Sequence, residues 1–233
     1  MANALSSIIV ALDFSSAQAA LDLAMRLQNT GCKLKVGKEL FTRAGPSLIE
    51  QLHKLGFEVF LDLKYHDIPT TVAKACQAAA EMSVWMCNVH ALGGSRMLDA
   101  AREAVDKYQK KPLLIAVTLL TSLQQEDLIE LRIQISPQEM VLRLAHLAQA
   151  SGLDGVVCSP LEIALLREKL PIDFQLITPG IRPAESLQDD QKRTLTPLAA
   201  LQAGSNYLVI GRPITAAPDP LLAFEQISKQ LQH

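Results

Sequence analysis

Short apolar, β-rich runs recur along the whole chain: IIVALD (8–13), KLKVG (33–37), VFLDLK (59–64), MCNVHA (86–91), LLIAVTLL (113–120), GVVCS (155–159), QLITPG (175–180) and YLVIGR (207–212). These eight runs are nearly continuous in hydrophobicity rather than alternating, as expected of parallel strands covered on both faces. Between them lie segments with apolar residues at three- and four-residue spacing, such as AQAALDLAMRLQNTG, GPSLIEQLHKLG, TTVAKACQAAAEM, SRMLDAAREAVDKYQ and PQEMVLRLAHLAQASG. That spacing predicts amphipathic helices. Gly31, Gly56 and Gly152 stand where three of these helices should stop, because a residue without Cβ adopts a left-handed cap most easily.

The pattern is βα repeated eight times, with no Pro/Gly/Ser-rich linker and no charge block at which to divide it. It predicts a single (β/α)8-barrel domain, a TIM barrel, over residues 1–233. A doubly wound open sheet is the alternative, but eight units of this length suit barrel closure better. The longest connection without periodicity runs from Ile181 to about Thr196, and polar loops of that length often serve as lids.

Composition narrows the partners. The chain has 233 residues, 49% hydrophobic and 20% charged, which fits a filled globular interior. With 4% aromatic residues and a formal net charge of −2, it lacks the stacking platforms and the basic field that nucleic acid demands. Cys32, Cys76, Cys87 and Cys158 are far apart and form no CxxC pair, so the expectation is buried, reduced thiols. Neither a leader-like pattern nor a membrane-spanning apolar stretch is evident, and the expected location is the cytoplasm. Met25, Met82, Met97 and Met140 read as core filler on helices.

Candidate chemistry gathers at the C-terminal ends of the strands: Asp13, Lys35, Asp62, Lys64, His90, Thr121, Ser159 and Arg212. In a parallel barrel that end carries the reaction. The densest cluster is DLKYHDIP (62–69). Asp62 and Lys64, two apart on a strand, should point to one side, and Asp67 follows in a loop from which it can turn back. Nearby carboxylates favour the ammonium form of a lysine, which makes a positioned acid. The competing reading is a solvated ion-pair cluster. A second cluster, VIGRPIT (209–215), follows TPGIRP (178–183). Glycine backbone and the Arg212 fork there suit a phosphate, against the plainer reading of a turn with a surface arginine. No GxxxxGK[ST] or GxGxxG occurs. His66 and His90 read first as hydrogen-bonded packing residues.

ALDF (11–14), KVGKELF (35–41), DLKYHDIP, LTS (120–122), TPGIRP and VIGRP (209–213), in this order and from the first strand to the last, resemble the orotidine 5′-monophosphate decarboxylase family. The resemblance implies loss of carbon dioxide from C6 of the pyrimidine of OMP to give UMP, with no metal and no organic cofactor. It implies a proton donor at Lys64 within a Lys35/Asp62/Lys64/Asp67 charge network, and ribose contacts from Asp13 and Lys35. Thr121 falls beside the pyrimidine; Pro179, Arg182, Gln191, Gly211 and Arg212 fall on positions that bind substrate, the last four at its phosphate end. Asp67 and Thr71 would reach into a neighbouring subunit's site, which implies a homodimer. A Mg²⁺-dependent sugar-phosphate decarboxylase or aldolase of the same superfamily is the nearest alternative, and a non-catalytic phosphate sensor a more distant one. A cation needs acidic ligands near Asp62, where this chain has Lys35.

Overall fold

A computed structural model describes residues 7–183 and 195–231. Eight parallel strands close on themselves in sequence order: β1 (Ile8–Ala11), β2 (Lys33–Gly37), β3 (Val59–Tyr65), β4 (Met86–His90), β5 (Leu113–Val117), β6 (Gly155–Val157), β7 (Gln175–Pro179) and β8 (Tyr207–Ile210), with β8 pairing back to β1. Each apolar run of the sequence supplies one strand. The helices are α1 (Ala17–Arg26), α2 (Lys38–Ala44), α3 (Pro46–Lys54), α4 (Pro69–Glu81), α5 (Ser95–Asp106), α6 (Gln125–Glu130), α7 (Pro137–Ala150), α8 (Ile163–Lys169), α9 (Pro197–Gln202), α10 (Arg212–Thr215) and α11 (Pro220–Gln230). At least one follows every strand, giving the (β/α)8 barrel.

The near-continuous hydrophobicity of the strands has two destinations. One set of positions, including Ile8, Val10, Leu34, Val36, Leu61, Cys87, Leu114 and Leu208, packs with the helices in the outer core. The alternate set, Ile9, Ala11, Phe60, Met86, Ile115, Ile177 and Val209, forms a separate cluster that fills the barrel itself. Full burial of a large apolar side chain contributes about 1.5–3 kcal/mol each, so both layers drive closure.

Local signals set the helix ends. Ser16, Ser136, Thr196 and Asp219 accept backbone N–H bonds as N-caps, the last three followed by proline at the first helical position. Gly56 and Gly152 take left-handed φ values of 89° and 71° immediately after the C-caps of α3 and α7, as the sequence predicts. Gly31 is left-handed too, but α1 already ends at Arg26, so this glycine shapes the turn into β2 rather than the cap. All four cysteines are buried. Met97 is buried and Met82 and Met140 pack against the core, whereas Met25 is half exposed, on the outer face of α1, and fills nothing. Among the described residues no helix is long and apolar enough to cross a membrane.

Candidate active site

The strands end, on their C-terminal side, around a cavity of about 350 Å³ lined by residues from every strand except β4 and by the loops that follow them. Its floor is the top of the barrel filling: Ala11, Phe60, Val117, Val157, Ile177 and Val209. Asp13, Lys35, Asp62, Lys64, Thr121, Pro179, Arg182, Gly211 and Arg212 line it, so nine of the positions singled out in the sequence converge on one space.

One wall is charged. Lys35 Nζ lies 3.1 Å from Asp13 Oδ1 and 3.4 Å from Asp62 Oδ2, and Lys64 Nζ lies 2.6 Å from Asp62 Oδ1. Asp62 is therefore gripped by two ammonium groups. Burial by itself would raise its pKa, but the charges of Lys35 and Lys64 and hydrogen bonds from Lys64 and Asn88 outweigh that and hold it below the usual carboxylate range. It remains an anion, and both lysine heads are fixed by it.

Lys64 does not reach Asp62 by simple strand alternation. The pairing of β3 with β4 shifts register between Leu61 and Tyr65, and Lys64 takes a left-handed φ of 53°. A bulge re-aims a side chain in this way, and left-handed backbone at a residue with a Cβ costs about 1–2 kcal/mol. Asn88 bonds to both sides of the bulge. Its Oδ1 accepts from the Lys64 backbone N–H at 2.7 Å, and its Nδ2 donates to Asp62 Oδ1 at 2.7 Å. Asn88 is not among the positions that the sequence singles out; the available signal was a lone amide inside the apolar run MCNVH, where a buried polar group must have partners.

Across the closed barrel from β3, the ends of β7 and β8 bring Pro179, Gly180, Arg182, Gly211 and Arg212 to the cavity. Gly180 has φ 79°, which turns the chain out of β7, and Arg182 N donates to Leu195 O at 3.1 Å. Arg212 opens α10 and is exposed. Gln191 and most of the expected lid lie outside the described residues.

Other predicted positions are not brought to this cavity within the chain. Asp67 and Thr71 are exposed and do not line it; Asp67 Oδ1 accepts from the Ile68 N–H at 2.6 Å instead of turning back to Lys64. Ser159 is buried and its N–H donates to Glu162 Oε2 at 2.8 Å, which fixes the turn after β6. His90 accepts the Leu92 N–H on Nδ1 and stacks on His66 with centroids 5.3 Å apart, a packing role. Burial first, then the charges of His66, Lys38 and Lys64, push its pKa down to about 4.

The chain resembles proteins of known name over nearly its whole length. A protein of Chromobacterium violaceum named orotidine 5′-phosphate decarboxylase is 60% identical over 226 residues, covering 97% of this chain and 92% of that one. One of Nitrosomonas eutropha with the same name is 60% identical over 226 residues, covering 97% of each chain. The crystal structure of orotidine 5′-phosphate decarboxylase from Lactobacillus acidophilus superposes with a TM-score of 0.87 at 40% identity, covering 98% of this chain and all of that one. The model of the orotidine 5′-phosphate decarboxylase / HUMPS family matches residues 6–227, and the chain belongs to that family.

Proposed function

We propose that the protein decarboxylates orotidine 5′-monophosphate to UMP and CO₂ in pyrimidine biosynthesis, and that it does so without a metal or an organic cofactor. The observation that carries this reading is the Lys64 ammonium fixed 2.6 Å from Asp62 at the wall of a cavity whose far side presents Arg182, Gly211 and Arg212. The pyrimidine would lie over the charged wall beside Thr121, the ribose hydroxyls against Asp13 and Lys35, and the phosphate at Gly211, Arg212 and Arg182, with Pro179 lining the same cavity; the resemblance assigns Gln191 to the phosphate end as well.

In the reaction the C6–carboxylate bond breaks and its electron pair stays on C6, in the ring plane and outside the π system. Lys64 stabilises that charge as it develops and then delivers its proton to C6, while carbon dioxide departs past Asp62. Phosphate contacts far from C6 supply binding energy that holds the closed state in which this chemistry occurs. Against the Mg²⁺-dependent alternative stands Lys35: its Nζ occupies the space 3.4 Å from Asp62 Oδ2 that a cation bridging carboxylates would need. The direct test adds orotidine 5′-monophosphate to EDTA-treated protein and follows loss of its ultraviolet absorbance. Absence of turnover overturns the reading.

The same proposal takes residues 1–233 as one catalytic domain working in the cytoplasm as a homodimer, with Asp67 and Thr71 completing the partner's site. Their exposure, beside the exposed Ile68, supports this arrangement. Lys64→Ala and Asp67→Ala homodimers should each be nearly inactive. After subunit exchange half of the dimers are mixed and one site in each is intact, so activity should recover to roughly a quarter of wild type. No recovery, once mass spectrometry shows that mixed dimers have formed, would place both residues in one subunit's site.

A further inference from the structure

Asn88 is the residue in this site whose side chain reaches both the backbone and the charges. It is 0% exposed, in the middle of β4, and its planar amide is bonded at both ends: Oδ1 to the Lys64 N–H and Nδ2 to Asp62 Oδ1, each at 2.7 Å. The two neighbours fix which way the amide faces, since an N–H needs an acceptor and a carboxylate needs a donor. Asp62 Oδ1 is also the oxygen that Lys64 Nζ meets at 2.6 Å. The three groups therefore close a ring: Asn88 to the Lys64 backbone, the Lys64 side chain to Asp62, and Asp62 back to Asn88.

That ring accounts for two otherwise separate facts. Lys64 is left-handed inside a strand, a conformation that persists only when its surroundings impose it, and the bond from its N–H to Asn88 substitutes for a ladder bond where β3 and β4 lose register. Asp62 carries two ammonium neighbours and would be free to swing between them, but a third bond fixes its carboxylate plane. We propose that Asn88 is a positioning residue for decarboxylation, holding Lys64 and Asp62 in the one geometry that places the ammonium at C6. This rests on the activity proposed above.

No other common side chain has the required pair of groups at this reach. Alanine removes both bonds. Aspartate keeps the shape and the acceptor but sets a second carboxylate against Asp62. The groups that face this pair are Lys35 from β2, Lys64 from β3, Asp13 through Lys35, and His90 on β4 itself; the β5 residue paired with Asn88 is the apolar Ile115. Like charges this close share a proton at higher pH than either would alone. Once protonated, the introduced carboxyl can donate to Asp62 as Nδ2 does while its other oxygen accepts from the Lys64 N–H.

The test measures kcat and KM for orotidine 5′-monophosphate, and the inhibition constant of UMP, for wild type, Asn88→Ala and Asn88→Asp between pH 5 and 8. Misplacing a reacting group by about 1 Å costs on the order of 100-fold, so kcat of Asn88→Ala should fall by roughly 30- to 100-fold. UMP binding should stay within about threefold, because the two hydrogen bonds of Asn88 act on the reacting groups and not on the nucleotide. Asn88→Asp should be as slow as Asn88→Ala at pH 8 and regain activity relative to wild type as the pH falls. Should Asn88→Ala fail to fold, the isosteric Asn88→Asp carries the test alone. An Asn88→Asp profile parallel to that of wild type, kcat of Asn88→Ala within threefold of wild type, or equal losses in kcat and UMP affinity each overturn the positioning role. Wild-type protein that does not turn over the substrate overturns instead the proposed activity, so the two failures are told apart.

Discussion

Lys33 and Lys35 stand two residues apart on β2, face the same side of it, and are almost equally buried, at 7% and 9% exposure. They nevertheless serve opposite ends of the barrel. At the N-terminal end Lys33 pairs with Glu58, whose side chain is 56% exposed, and its Nζ lies 4.6 Å above the centre of the Trp85 ring. Trp85 in turn meets Tyr207 edge-on, with centroids 5.0 Å apart. One charge, one partner and two aromatic rings form a plug. At the C-terminal end Lys35 shares Asp62, a carboxylate 12% exposed, with a second ammonium and leans on Asp13. Within the strands, left-handed backbone occurs at that end: of the described non-glycine residues with positive φ, Asn29, Ser83, Arg132 and Lys64, only Lys64 lies in a strand. A lysine inside the barrel is thus a packing device where it meets one exposed carboxylate and, on the proposed activity, a chemical one where several charges are held together in a cavity.

The largest effect that can break this comparison comes from removing each lysine in turn. Lys35→Ala should lower kcat/KM for orotidine 5′-monophosphate by roughly 100- to 1000-fold, the scale of losing one preorganised charge at a reacting centre. Lys33→Ala should leave kcat/KM within about threefold and instead lose roughly 1–2 kcal/mol of stability through the cation–π contact and the buried stem. Steady-state rates and urea melts of both variants check the pair. Comparable catalytic losses would erase the division between a structural and a chemical end.

The division was partly legible in the sequence. Eight apolar runs became eight strands, because strands covered on both faces have no polar alternation to confuse them. Charges at strand ends located Asp13, Lys35, Asp62, Lys64 and Arg212 around one cavity. The extents were less legible: LLIAVTLL forms a strand only to Val117, and residues 38–41 of KVGKELF open α2. Helices of four to seven residues, such as α2, α8, α9 and α10, are too short to display a helical period. The bulge at Lys64 left no mark, since lysine carries no preference for left-handed backbone; the side chain that bonds its N–H, Asn88, lies on β4, 24 positions away. Ionisable groups at strand ends announce chemistry, whereas a neutral amide within an apolar run reads as part of the strand.

A middle-sized effect separates packing from chemistry within the C-terminal end. His90 is held neutral, its pKa pushed from 6.5 down to about 4, so the unfolded chain binds a proton that the folded one refuses. Its contribution is fully present above pH 6.5 and is lost as the pH falls from there towards about 4. The loss should be on the order of 1–3 kcal/mol. His90→Asn, which keeps an acceptor for the Leu92 N–H, should flatten this slope; urea midpoints at about pH 7 and pH 4.5 measure it. The carboxylate of Asp62, whose folded pKa is depressed, withdraws its own contribution only below the ordinary carboxylate pKa of about 4, so the two windows are distinct. A slope unchanged by His90→Asn would mean that His90 is not the group refusing the proton.

The smallest effect isolates the strain itself. Lys64→Ala and Lys64→Gly both delete the ammonium, and both should be catalytically dead, so any difference between them belongs to the backbone. Alanine must adopt φ 53° with a Cβ crowding the following carbonyl, whereas glycine adopts it freely but gives the unfolded chain more conformations to lose. The first effect exceeds the second at a left-handed site, and Lys64→Gly should be more stable than Lys64→Ala by about 0.5–1 kcal/mol. Repeating the pair in an Asn88→Ala background sharpens the result. If Asn88 imposes the left-handed turn, its removal lets β3 relax towards ordinary strand geometry, the penalty on alanine disappears, and the preference for glycine should shrink to nothing or reverse, since glycine weakens a regular strand. A preference that persists at full size without Asn88 would show that the bulge is imposed from elsewhere in the barrel, and that the amide follows the turn rather than making it.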